Sequence, residues 1–564
     1  MGSARALRFF AGAAIGLAAS ALPSSASAAS WIATPSVAIN QGRVMVAWTA
    51  GGVVQTATQN ADGSFPRGVA VGRALRGTPP QLTVTPAGDQ MLVWRSNRVV
   101  RAAFRLHGER LWKPTTVAAP FGFNVHVVMD PNGRAIAAWI AFQADGAAPQ
   151  TLFVSTHPRG GVWSAPSVPD GGTVVVSVSL ATDSAGDVVA EYGSGAGVKA
   201  VVLPAGAAEW GAPVKLSGTE EPRSLFAVTG GGARTFIARW NAINFPSPPP
   251  GQQWIPSIAR EARIALPGAW SAPHDVVPTS YLDPVGYSRA SATATAIDQL
   301  GNATTAWQFQ IHDPRYPSYA LGVAQLAASA EEWTPPATLD FPPTATWTDS
   351  APSLALDESG TATAAFVRGG RNDFHVVVAT APGPFGALQG QTIRIASLPT
   401  RSRCTTLTCA REWKVDPALA VADGAAAIAV QSRKREVVVL TRATPGGPWT
   451  GPIHLRGAGR TSFYLVSRRA RAGVVHIAVT CALPPCDGVV ELREAQTERL
   501  LGSRRFTFQA AGTAPGRFVM PLWAMARMRL GEYIRMKLSW DVTEGDGSKE
   551  RQLLIVRMHA RRGD

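Results

Sequence analysis

Side chains able to do chemistry collect in five segments of this sequence: 241–254, 274–289, 308–320, 341–350 and 397–414. Four of the seven tyrosines lie there, Tyr281, Tyr287, Tyr316 and Tyr319. Beside them stand Trp254, His274, Asp275, Asp283 and Arg289, then His312, Asp313, Arg315 and Trp347. Aromatic faces with planar hydrogen-bonding groups suit a carbohydrate or a peptide. Trp254, Tyr281, Asp283, Tyr287, Arg289, His312, Asp313, Arg315, Tyr316 and Tyr319 are therefore the candidate ligand-binding residues. The competing reading is that these rings only pack long loops against a scaffold. Cleaving a glycosidic bond needs two carboxylates about 5–10 Å apart. Asp283 and Asp313 are the pair in these segments worth testing, but no catalytic residue is assigned from the sequence.

Other residues carry less chemistry. Glu191 and Arg239 each stand just before an aromatic position where most repeats keep a small residue, such as Ala47, Ala138 or Ala306. An unpaired charge at such depth is costly, so the two are expected to form an ion pair between neighbouring units. A catalytic carboxylate with its arginine is the sharper alternative. Cys404 and Cys409, and Cys481 and Cys486, are spaced identically. Two local disulfides are expected, because four intervening residues allow the approach a disulfide needs, and C-x4-C is looser than a zinc knuckle. No metal or cofactor is expected.

The elements that would position these residues follow from a repeated phrase over 36–458. An apolar strand and a turn containing Gly lead to a second apolar strand, whose end is marked six residues after the Gly. The pairs are Gly42/Trp48, Gly88/Trp94, Gly133/Trp139, Gly186/Tyr192, Gly301/Trp307, Gly360/Phe366 and Gly424/Val430. The fifth repeat has the looser turn 230–232 and reaches Trp240. Four turns read Asp-x-x-Gly, beginning at Asp130, Asp183, Asp298 and Asp357. In these the carboxylate accepts backbone N–H groups and the Gly takes positive φ. A third strand follows, then W-x-x-P, as in Trp163/Pro166, Trp210/Pro213, Trp270/Pro273, Trp333/Pro336 and Trp449/Pro452. Proline suits an outer edge, where no neighbour needs its N–H. Each phrase is thus a four-stranded unit, and radial stacking buries both of its faces. The long segments fall between second and third strands or between units, so all leave the same end of the stack.

This phrase resembles the repeats of secreted actinobacterial β-propeller proteins, distantly similar to sialidase-type propellers. The resemblance implies an all-β propeller of about eight four-stranded blades, with seven as the alternative, over residues 30–460. The sialidase box S-x-D-x-G-x-T-W is absent, and neither an arginine triad nor a tyrosine–glutamate nucleophile pair is assigned. The tail, 461–564, resembles an immunoglobulin-like β-sandwich through the alternating runs 474–481 and 486–492, then 501–502, 506–508 and Gly512. Such modules act as spacers or attachment domains.

Charge and targeting bound the rest. The chain has 53 Lys and Arg against 38 acidic residues, a net charge of +15. The tail holds 17 of those cations and ten of the acids. A basic tail suits acidic cell-envelope polymers or lipid headgroups, and nucleic acid is not expected. Arg5 and Arg8, the apolar run 9–22 and Ala26-Ser27-Ala28 have the order of a signal peptide over 1–29. No later stretch is long enough to span a bilayer. The expectation is a secreted monomer: a non-catalytic binding or scaffold protein for a glycan or protein, associated with the envelope through its tail. The alternatives are a sialidase-like glycoside hydrolase or lyase acting on extracellular polysaccharide, and a structural repeat protein without a specific ligand.

Overall fold

The computed structural model describes residues 34–560 apart from 142–149, 244–256, 277–291, 312–317, 340–351, 382–385, 398–415, 432–436, 456–461, 528–533 and 544–548, and several stretches of three or fewer residues. The protein is all-β and propeller-like. Eight antiparallel meanders follow one another, at 36–73, 81–118, 122–157, 175–215, 221–275, 292–339, 353–397 and 418–455. They are called sheets one to eight below.

The second strands are largely buried on both faces because a neighbouring sheet covers each side. Ala135–Ala141 of sheet three and Ala425–Gln431 of sheet eight are buried throughout. The ring at the end of the second strand fills the gap to the preceding sheet. Trp48, Trp94, Trp139, Tyr192 and Trp240 are almost fully buried, and Trp307 and Phe366 nearly so. Burying one such ring removes on the order of 200 Å² from water, which explains its recurrence without a ligand.

Consecutive sheets share cores all the way along the chain. Ala138 and Leu152 of sheet three pack with Tyr192 of sheet four, and Val189 of sheet four packs with Phe236 and Trp240 of sheet five. Val46 and Trp48 of sheet one share a core with Ala427 and Val439 of sheet eight. Gln431 Nε2 also donates to Thr49 O across that junction, at 2.8 Å.

The turns work as their residue types require. Asp130 Oδ1 accepts the N–H groups of Asn132 and Arg134, each at 2.9 Å. Asp183, Asp298 and Asp357 repeat the arrangement. Gly133, Gly186, Gly301 and Gly360 have φ between 76° and 90°, where a Cβ is strained. One unit departs from four strands. Sheet three has three, and its outer edge keeps a single bridge, Val154 to Ser167.

After sheet eight come a three-stranded sheet and a five-stranded sheet. In Cys486–Glu494 of the larger sheet, burial alternates residue by residue. Its inward side chains join Trp540, Phe518 and Ile477 in one core. Cys481 and Cys486 are disulfide-bonded with Cα atoms 6.1 Å apart. Cys404 and Cys409 lie outside the described residues. Among the described residues no helix is long and apolar enough to cross a membrane.

Candidate functional site

Strand order places the long connections. Residues 244–256 join the second strand of sheet five, Thr235–Ile243, to the third, Ser257–Ala265. Residues 312–317 do the same between Ala303–Ile311 and Ser318–Leu326 of sheet six. The stretches 276–291, 340–352 and 398–417 each join an outermost strand to the innermost strand of the next sheet. In an antiparallel meander these two classes of connection leave from the same end, so all five emerge together.

Most predicted ligand-binding residues sit on these connections and outside the described residues: Trp254, Tyr281, Asp283, Tyr287, Arg289, His312, Asp313, Arg315 and Tyr316. Tyr319 is the second residue of the third strand of sheet six, in register with Gln310. His274 and Asp275 do not belong to that end. They form the outermost strand of sheet five, where Asp275 accepts from Arg260 Nε at 2.8 Å.

The expected ion pair between Glu191 and Arg239 is not made. Neither oxygen of Glu191 has a hydrogen-bond partner, and Arg239 Nη1 donates instead to the hydroxyls of Thr295 and Thr305 in sheet six. Side chains alternate between the faces of a strand. Val189 packs toward sheet five, so Glu191 faces sheet five. Ala238 and Trp240 pack toward sheet four, so Arg239 faces sheet six. Equivalent positions in successive sheets look the same way along the series, so these two side chains lie in different gaps.

The partner set by strand register is Glu261, directly opposite Arg239 on the neighbouring strand. Burial raises Glu191 well above the usual carboxylate range. It also lifts Glu261 to about 7, against the Trp333 hydrogen bond and the charges of Arg239 and Arg263. Arg239 is lowered by burial to about 10. Glu261 was not singled out in the sequence because its significance depends on pairing register, which no local motif reports.

A second cluster lies at the insert-bearing end. Lys199 Nζ holds both oxygens of Asp170, at 3.1 and 3.0 Å, and burial followed by the charge of Asp170 raises the Tyr192 hydroxyl. This contact fastens the connection between sheets three and four onto sheet four. At the opposite end, Arg234 Nε reaches the buried Asp187 at 2.6 Å, and Arg159 pairs with Asp89. Among the described residues no group of three or more His, Cys, Asp or Glu is placed to hold a metal ion.

No protein family and no curated protein matches the sequence. Similar solved structures include an ulvan lyase, a polysaccharide lyase, at 12% identity and a TM-score of 0.41, covering 64% of this chain and 95% of that one. The polysaccharide lyase Uly1 is similar at 9% identity and a TM-score of 0.41, over 72% of this chain and 89% of its own. The α-L-arabinofuranosidase of Fusarium graminearum in complex with arabinobiose is similar at 13% identity and a TM-score of 0.31, over 56% and 92%. With two polysaccharide lyases and an arabinofuranosidase as similar structures, the expectation of a non-catalytic binding or scaffold protein is withdrawn.

Proposed function

We propose that this chain is an enzyme acting on an extracellular polysaccharide, a glycoside hydrolase or a lyase. In this reading it is exported, its eight sheets are the blades of a propeller over 30–460, and an immunoglobulin-like sandwich follows over 461–564. The observation that carries the reading is topological. The long connections of sheets five to eight share one end of a rigid stack, and their sequences bring rings, carboxylates and guanidinium groups to it.

Those groups divide the chemistry between them. Tyr281, Tyr287, Tyr316, Tyr319 and Trp254 offer surfaces for sugar faces. In hydrolysis, one of Asp283 and Asp313 protonates the leaving oxygen, and the other acts as nucleophile or activates water. In elimination, Arg289 or Arg315 neutralises a uronate carboxylate while a base removes the proton beside it. The freed electron pair forms a C=C bond as the glycosidic C–O bond breaks and the leaving oxygen takes up a proton. The basic tail would hold the enzyme against an acidic envelope.

The test is to assay the full chain on chromogenic glycosides and on uronate-containing polysaccharides. Reducing ends report hydrolysis, and ultraviolet absorbance of an unsaturated sugar reports elimination. Turnover on at least one substrate is expected, falling by about a hundredfold or more in Asp313→Asn or Asp283→Asn. Hydrolysis that survives both substitutions, elimination that survives both Arg289→Ala and Arg315→Ala, or no turnover on the whole panel, would overturn the assignment.

A further inference from the structure

Arg239 is incompletely satisfied in its burial site. Its Nη1 donates to Thr295 and Thr305, on adjacent strands of sheet six, while Nε and Nη2 have no acceptor. Glu261 stands opposite it in register, so both side chains leave sheet five on the face toward sheet six. Glu261 Oε1 accepts from Trp333 Nε1 at 2.7 Å, and Oε2 has no donor. Arg239 is 1% exposed and Glu261 4%, so solvent satisfies neither. A guanidinium with two idle donors therefore lies beside a carboxyl with an idle oxygen. Oppositely charged forms so placed would close a charge-assisted hydrogen bond. A carboxyl that keeps its proton lacks the charge that would close that bond.

We propose that Arg239 is a two-position latch between sheets five and six, held on Thr295 and Thr305 while Glu261 is protonated and drawn onto Glu261 when that carboxyl ionises. The charged groups around it are few. Arg263 lies on the same strand as Glu261, and the groups that sheet six presents, Thr295, Thr305 and Trp333, carry no charge. Glu191 approaches from sheet four on the other face of sheet five, and burial raises it well above the usual carboxylate range. Glu261 changes charge at about 7. A carboxyl raised in the folded chain keeps its proton after the unfolded chain has lost its own, so the fold weakens as pH rises from the ordinary carboxylate range toward 7. The latch is thus made on sheet six at mildly acidic pH and released above neutrality. It sits on the strands that run into 244–256 and 312–317.

Amide hydrogen exchange on the full chain tests this, with sheets one and two as the internal reference. Between about pH 5.5 and about pH 8.5, after correction for intrinsic exchange, protection of Ala292–Ile297 and Ala303–Ile311 is expected to fall about tenfold more than in the reference sheets. Glu261→Gln, neutral throughout, is expected to abolish that difference. Thr305→Val should lower protection at acidic pH alone. Equal changes in all sheets of the unaltered protein would overturn the latch, as would an unchanged pH difference in Glu261→Gln. The unaltered protein decides the matter if a variant does not fold.

Discussion

Single residues set the stability of each gap between sheets. Trp139 is buried and stacks on Phe153 with ring centroids 5.9 Å apart. Trp139→Ala is expected to cost about 3–5 kcal/mol in denaturant unfolding. Gly122→Ala should also destabilise, because a Cβ there runs into the Trp139 ring. Two buried acids add a pH dependence. The Arg159 hydrogen bond lowers Asp89, and at Asp187 the hydrogen bonds of Arg234 and Ala205 outweigh burial and lower it too. A carboxylate lowered in the folded chain stabilises it above the ordinary carboxylate range, and that contribution is lost as pH falls through the folded value. Asp89→Asn and Asp187→Asn should therefore lower the urea midpoint near neutrality and flatten its decline between about pH 5 and about pH 2.

At the scale of elements, the turns were readable because their cause is local. An Asp three residues before a Gly carries both its acceptor and its permitted φ wherever it occurs. Asp298→Ala leaves the N–H groups of Leu300 and Asn302 without their carboxylate. The expected loss is about 1–3 kcal/mol, read by thermal unfolding. The disulfide Cys481–Cys486 closes a short loop in the tail. Its reduction should cost that module about 2 kcal/mol, seen as an earlier unfolding transition under reducing conditions. The outer strand of sheet three was less legible. Trp163 and Pro166 mark its position, but ladder length depends on how the connection to sheet four runs. Among the described residues that edge keeps one bridge, Val154 to Ser167, with Ser164 N donating to Thr156 O.

Over the whole molecule, the notable contact joins the two ends of the series of sheets. Gln431, 4% exposed, donates to Thr49 O across 382 residues of sequence. Gln431→Ala should weaken the junction of sheets one and eight and increase hydrogen exchange in Arg43–Ala50 and Ala425–Gln431 before the other sheets. Charge behaves differently at this scale from what its total suggests. In the tail, Arg493, Arg505, Lys537 and Arg551 each pair with an acid of the tail itself. Any hold on an acidic polymer therefore depends on cations other than these four.

The sequence by itself determined the all-β class, the repeated sheets, the buried rings and the Asp-capped turns. Each of these depends on spacing within a few residues, and such spacing acts the same way wherever the unit sits. It also located the long connections, because strand order decides from which end a connection leaves. Only the tertiary structure decided which charges meet. Glu191 and Arg239 occupy the same position in neighbouring units and were expected to pair, yet one faces sheet five and the other sheet six. Glu261, without a motif of its own, is set opposite Arg239 by register. Which face of a sheet meets which neighbour is decided only when the sheets have stacked, so these pairings depended on the assembled fold.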